Sequence, residues 1–163
     1  MIYEPLYITW HAHNETGIRL IDEQHRGIVS IINTFYYMMG KHMDNTMMYS
    51  CISDTLRNYS RTHFITEEAF MKVSDYPGLE QHIEMHRNLI SEIEEIELQG
   101  IANHDARPLL EFLKRWWIEH INEKDKLYIP YLHSSNKSHF GRLVHVDPLA
   151  QQKDLPDFSS SGW

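Results

Sequence analysis

Apolar residues recur at steps of three and four in four separate stretches of this chain, a spacing that predicts four amphipathic α-helices. The first runs from about Ile18 to His42, with Ile21, His25, Ile28, Ile32, Phe35 and Met39 on one stripe. The second runs from about Thr46 to Ser74 along Ile52, Tyr59, His63, Glu67 and Phe70. Asp75-Tyr76-Pro77-Gly78 then predicts a turn. The third, from about Leu79 to Leu98, carries His82, His86, Leu89, Ile93 and Ile96, with Gly100 as its stop. Asn103 or Asp105 caps the fourth, and Pro108 fits its first turn. That helix is expected to reach about Tyr131 through Leu110, Leu113, Trp117, His120 and Tyr128.

Strand signals are absent. Four helices of similar length with short connections predict an all-α fold, an antiparallel up-down-up-down four-helix bundle. Residues 1–17 form an aromatic-rich arm expected to pack along it. The expected domain division is a bundle over 1–133 and an irregular C-terminal extension over 134–163, which contains Pro148 and Pro156 and has no helical period. The part of the extension from Phe140 to Leu149 is expected against the bundle surface, because it is too apolar for a solvated linker.

Composition narrows the function. The 163 residues are 42% apolar and 23% charged, values of an ordinary globular domain. A net charge of −8, with no stripe of Lys and Arg among aromatics, argues against a nucleic-acid partner. No apolar run approaches 18 residues, so no membrane span is expected. The N-terminus lacks the pattern of a secretory signal. One cysteine, Cys51, cannot form an internal disulfide, and a cytoplasmic location is the default expectation. On its helix Cys51 reads as a small, buried or half-buried apolar residue.

Histidine is the outlier, with twelve in the chain. His11, His13, His42, His104, His133, His139 and His145 lie near the termini or in connections, and read as exposed residues without a role. The other five, His25, His63, His82, His86 and His120, fall on the apolar stripes together with Glu67 and Asp125. Buried imidazoles and carboxylates without partners destabilise a core, and a metal would satisfy all seven. His63 and Glu67, and likewise His82 and His86, are four apart and share a helix face. Imidazole is a common transition-metal ligand, and a carboxylate has two oxygens with which to span two ions. Seven ligands exceed what one ordinary transition ion takes and suit two.

His120 and Asp125 are five apart, about 140° around an ideal α-helix, whereas Glu123 lies nearer the face of His120. Either a local π-type bulge brings Asp125 round, or its side chain reaches in from the stripe's edge. Glu123 and Glu68 read as solvent-facing charges.

The blocks IDEQH, HFITEE, HIEMH and HINEKD, with Tyr-Pro before the third and a tryptophan pair before the fourth, resemble the hemerythrin family, in particular its single-domain bacterial members. The likeness covers about Ile8 to Tyr131. It implies a non-haem di-iron centre with a bridging oxide or hydroxide. His82, His86 and His120 would complete the shell of one iron. His25 and His63 would bind the other, which keeps an open site, and Glu67 and Asp125 would bridge. It further implies reversible binding of dioxygen at the open site, each ferrous ion giving one electron and the bridging hydroxide giving the proton. A histidine-rich site is suited to stopping there, where carboxylate-rich sites favour oxygenase chemistry.

Reversibility requires that water be kept out. Ile28, Phe64, Trp116, Trp117 and Ile121 are the candidate walls of the dioxygen pocket, and all five also serve as ordinary core. Tyr128 reads chiefly as structural, with a supporting position near the site. The expected role is dioxygen storage, delivery or buffering, with no enzymatic activity. The alternatives are a dioxygen or redox sensor that signals to a protein partner, and a di-iron reductase of peroxide or nitric oxide. A stable dioxygen adduct separates the reductase from the other two.

Overall fold

A computed structural model describes residues 6–41 and 46–135, except for the side chains of His133 and Ser135. The extension from residue 136, and with it the packing expected of Phe140 to Leu149, lies outside the described residues, as do His42, His139, His145 and the side chain of His133.

Four long helical elements form the antiparallel bundle. α1 spans Arg19–Gly40, α2 Thr46–Val73 and α3 Leu79–Asn103; α4 spans Arg107–Trp116 and continues into a π-helical segment, Trp117–Lys124. Each packs on the next, and α4 closes against α1. A short helix, α5, spans Ile129–Ser135 and rests on α2. Among the described residues there is no strand.

Two boundaries differ from the sequence expectation, each for a local reason. α3 runs through Gly100 to Asn103 and ends on His104 in the left-handed conformation (φ 52°). Gly100 marks a close approach there: a Cβ at this position would collide with the Tyr49 hydroxyl and meet the Asp105 carbonyl at 2.9 Å. The N-cap of the next helix is Ala106 rather than Asn103 or Asp105; Asp105, one residue before it, accepts a hydrogen bond from the Arg107 amide at 3.1 Å. The fourth element does not run unbroken to Tyr131. It leaves the α-helical path at Trp117 and ends at Lys124, and the chain turns before α5 begins.

The core divides into two apolar clusters. The larger gathers Ile28, Ile32, Phe35, Leu56, Phe64, Ile93, Leu109, Phe112, Trp116, Trp117 and Ile121, among others. The smaller holds Ile18, Ile21, Phe70, Met71, Tyr128 and Leu132. Along α1, His25 falls between Ile21 of one cluster and Ile28 of the other. Along α2, Glu67 falls likewise between Phe64 and Phe70, and Asp125 between Ile121 and Tyr128. A polar layer therefore interrupts the apolar interior, bounded by hydrophobic packing at both ends.

The N-terminal arm packs along the bundle, as its aromatic content suggests. Ile8 and Asn33 exchange two hydrogen bonds, from the Ile8 amide to Asn33 Oδ1 (2.9 Å) and from Asn33 Nδ2 to the Ile8 carbonyl (2.8 Å). Farther along, Asp22 at the start of α1 accepts from the Thr16 amide and hydroxyl at 2.7 and 2.8 Å. Cys51, expected to be buried or half-buried, is exposed; it lies on the outward side of α2.

Candidate metal centre

The polar layer consists of the seven residues singled out by spacing. α1 contributes His25, α2 His63 and Glu67, α3 His82 and His86, and the π segment with its C-terminal residue contributes His120 and Asp125. All are at most 5% exposed. On α2 and on α3 the two donors come about one turn apart, so that each of these helices directs two side chains inward from one face.

The π segment resolves the awkward spacing of the fourth element. The Asp125 amide donates to the His120 carbonyl, five residues back, at 3.0 Å. That wider turn rotates Asp125 on to the face of His120 and leaves Glu123 outside, exposed to solvent. Of the two geometries open at this position, the bulge is the one adopted.

Ligand-type atoms segregate into two groups that share both carboxylates. One comprises His82, His86, His120, Glu67 and Asp125; the other comprises His25, His63, Glu67 and Asp125. Within each, the atoms lie within 4.8 Å of one another. Asp125 divides its oxygens between them. Oδ1 lies 3.1 Å from His120 Nε2 and 3.2 Å from His82 Nε2, whereas Oδ2 lies 3.4 Å from His25 Nε2. Glu67 uses a single oxygen, with Oε2 3.4 Å from both His63 Nε2 and His86 Nε2.

None of these inward atoms has a hydrogen-bond partner. The Nε2 atoms of all five histidines, Glu67 Oε2 and both Asp125 oxygens are buried and unsatisfied. Buried polar atoms are ordinarily paired, and a cluster of eight left facing one another is an arrangement able to hold a cation. The donor set, neutral imidazoles and carboxylates, fits a borderline transition ion better than calcium or magnesium.

Two of the outward-facing ring nitrogens are, by contrast, held, whereas His25 Nδ1 is buried without a partner. His63 Nδ1 meets Gln24 Oε1 at 3.3 Å, and His86 Nδ1 meets Glu68 Oε1 at 2.8 Å. Each oxygen holds the ring proton on Nδ1 and leaves the Nε2 lone pair aimed inward. Glu68 is thus not a plain solvent-facing charge: its side chain is 28% exposed and turned on to His86. Tyr128 donates to Glu67 Oε1 at 2.9 Å, which gives it a part in the site beyond packing. The ring of Phe64 stacks on His86 at 3.8 Å between centroids.

Burial governs the protonation of this layer. Desolvation holds His63, His86 and His120 down to about 4, so all three are neutral near pH 7. Burial and the neighbouring Asp125 raise Glu67. Burial would also raise Asp125, but the imidazoles of His120, His25 and His82 around it hold its carboxyl well below the usual range. The Tyr128 hydroxyl is pushed well above 10, first by burial and then by Glu67, and stays a donor.

The candidate wall residues Ile28, Phe64, Trp116, Trp117 and Ile121 are all buried in the larger cluster, at most 6% exposed. Spacing did not single out Trp10 of the arm. Its ring lies 5.8 Å from Trp117 and 6.5 Å from His25, beside the two-histidine group, with the Arg26 guanidinium 4.7 Å above its face. Gln24 was missed too. A residue that supports a ligand on another helix leaves no periodic trace, although its place next to His25 is a weak cue.

Comparison with known proteins agrees with this geometry. Residues 16–132 match the family model described as the hemerythrin HHE cation binding domain. A bacteriohemerythrin of Clostridium acetobutylicum is 32% identical over 126 residues, which cover 74% of this chain and 97% of that protein. One of Stenotrophomonas maltophilia is 29% identical over 126 residues, covering 74% of this chain and 78% of that protein. A crystal structure of a hemerythrin with a leucine-to-alanine substitution superimposes with a TM-score of 0.68 at 25% identity, covering 78% of this chain and 98% of that one.

Proposed function

The chain belongs to the hemerythrin family, and from that premise we propose that its seven-residue layer holds two iron ions and binds dioxygen reversibly, for storage, delivery or buffering. The observation that carries this reading is the set of eight unsatisfied inward atoms, divided into a three-histidine and a two-histidine group that share two carboxylates. The two-histidine group has one nitrogen donor fewer and is the side on which a ligand would enter.

A ferrous pair held by His25, His63, His82, His86, His120, Glu67 and Asp125 would supply the two electrons that reduction of dioxygen to the peroxide level requires. The chain's own residues do the rest. Gln24 and Glu68 fix the tautomer and orientation of His63 and His86. Tyr128 occupies Glu67 Oε1, so that Oε2 alone faces the donors of both groups. Asp125 spans the groups with one oxygen on each side. Phe64, Trp116, Trp117, Ile28 and Ile121 surround the layer with apolar surface, which disfavours the water that would release a reduced ligand. His63, His86 and His120 stay neutral near pH 7, so none of these three is a general acid there.

Among the described residues no helix is long and apolar enough to cross a membrane. A cytoplasmic location and the absence of an enzymatic role belong to this proposal. The test is anaerobic loading with ferrous iron, a metal count per chain, and visible spectra before and after air. Two irons and a new visible band that disappears on removal of dioxygen are expected. One iron or none, or oxidation with no reversible band, would overturn it.

A further inference from the structure

We infer that Asn14 and Asn122 are positioning residues that lock the π register of the fourth element and so keep Asp125 in the metal layer. π-helical turns are rare and occur mostly as single-turn bulges inside α-helices, so a segment of eight residues in that form needs something to hold it. The holding contacts come from the N-terminal arm.

They form a chain of hydrogen bonds. The His11 amide donates to Asn14 Oδ1 at 2.7 Å, and Asn14 Nδ2 donates to Asn122 Oδ1 at 2.6 Å. Asn122 Nδ2 in turn donates to the Trp117 carbonyl at 2.7 Å, five residues back and at the first residue of the π segment. Asn14 is 3% exposed, and the bond it makes to Asn122 is partly buried, so water competes weakly for it. Beyond the other end of the segment, Lys126 Nζ donates to the His13 carbonyl at 2.6 Å. The three-residue turn Ala12–Asn14 therefore grips both flanks of the stretch that sets the spacing of His120 and Asp125.

The physical consequence is a choice between two registers. In a plain α-helix, Asp125 would swing about 140° from His120 and leave the layer, and Glu123 would come nearer. Asn122 stabilises the wider turn because its side-chain amide bonds the Trp117 carbonyl, five residues back, in that register. Asn14 fixes the orientation of that amide, presenting a donor to its oxygen so that its nitrogen faces the carbonyl.

This inference rests on the metal-centre reading above, and the experiment separates the two. Asn122→Asp preserves shape and the acceptor for Asn14 but cannot donate to Trp117; Asn14→Asp keeps the acceptor for His11 but cannot donate to Asn122. Asn33→Ala, which loosens the arm at Ile8 but removes no bond made by Asn14 or Asn122, serves as control. Cobalt(II) is titrated into each metal-free protein, and its visible d–d bands report coordination. Backbone amide exchange is followed in the same proteins without metal.

If the asparagines lock the register, both aspartate variants keep cooperative unfolding and weaken the second cobalt site at least tenfold with altered d–d bands. Amides of residues 121–125 exchange at least tenfold faster, while those of α2 and the Asn33→Ala protein stay close to the parent. Wild-type cobalt binding and exchange in both variants would overturn the inference, and so would equal effects from Asn33→Ala. A parent protein that takes up no cobalt would count against the metal reading alone, because the exchange measurement still decides the register.

Discussion

The Tyr128 hydroxyl donates to Glu67 Oε1 at 2.9 Å, in a contact buried from solvent at both ends. It joins the turn after the π segment to α2, and it ties the smaller apolar cluster to the polar layer. Removing the hydroxyl alone leaves one carboxylate oxygen buried and unpaired, which costs about 1–3 kcal/mol. Tyr128→Phe should therefore lower the unfolding free energy of the metal-free protein by that amount, read from urea midpoints. It should also weaken metal uptake, since Oε1 is then free to rotate towards the donors. No change in either would mean that Tyr128 only fills space.

Glu68 and Glu123 are expected to differ. Glu68 accepts from His86 Nδ1, whereas Glu123 faces solvent. Loss of a partner that orients a ligand histidine typically weakens metal binding about 10- to 100-fold. Competition titrations against a chelator should show a loss of that size for Glu68→Ala and none for Glu123→Ala. Asp125→Ala should disrupt the centre altogether. A larger effect from Glu123 than from Asp125 would mean that the chain prefers the α register in solution.

The metal-free protein should lose stability on mild acidification. Burial lowers His63, His86 and His120 from 6.5 to about 4. Between those values the unfolded chain binds protons that the folded one excludes, so unfolding becomes easier as pH falls through the window. Well above 6.5 these groups contribute no pH dependence. Urea midpoints at pH 7.5, 6.5, 5.5 and 4.5 should fall slightly between the first two, by the equivalent of about 1 kcal/mol for three rings half-protonated in the unfolded chain at 6.5, and then fall more steeply. A flat series to 4.5 would show that the three rings are not held neutral.

Water exclusion is expected to come from Trp117 and Ile121. Both lie in the larger cluster, and truncation to alanine leaves a cavity beside the polar layer. Trp117→Ala should speed autoxidation of the oxygenated iron protein several-fold or more, with a smaller increase for Ile121→Ala. The rate of bleaching of the visible band in air measures this. Unchanged rates in both variants would place the water barrier elsewhere, with Trp10 of the arm the next residue to test.

Much of this was written in one dimension. The hydrophobic period marked four helices, and the positions of His25, His63, Glu67, His82, His86 and His120 on their apolar stripes marked one layer, because a helix places residues three and four apart on the same face. The two apolar clusters above and below that layer follow from the same arithmetic, since Ile21 and Ile28 flank His25 at steps of four and three. The all-α class and the antiparallel order needed nothing beyond periodicity and short connections.

What required the tertiary structure was everything that crosses between elements or departs from a regular helix. The sequence left two geometries for Asp125, and only the packed fourth element, gripped by the arm through Asn14 and Asn122, selects the π turn. Glu68 and Gln24 look like surface residues in their own helices, and become supports because the rotation of the neighbouring helix brings His86 and His63 against them. The end of α3 was misread at Gly100 because a glycine that admits the Tyr49 ring is indistinguishable, along the chain, from one that ends a helix. Local spacing determines which face a side chain occupies; which atoms meet across faces depends on the axial register of packed helices, and no single helix carries that information.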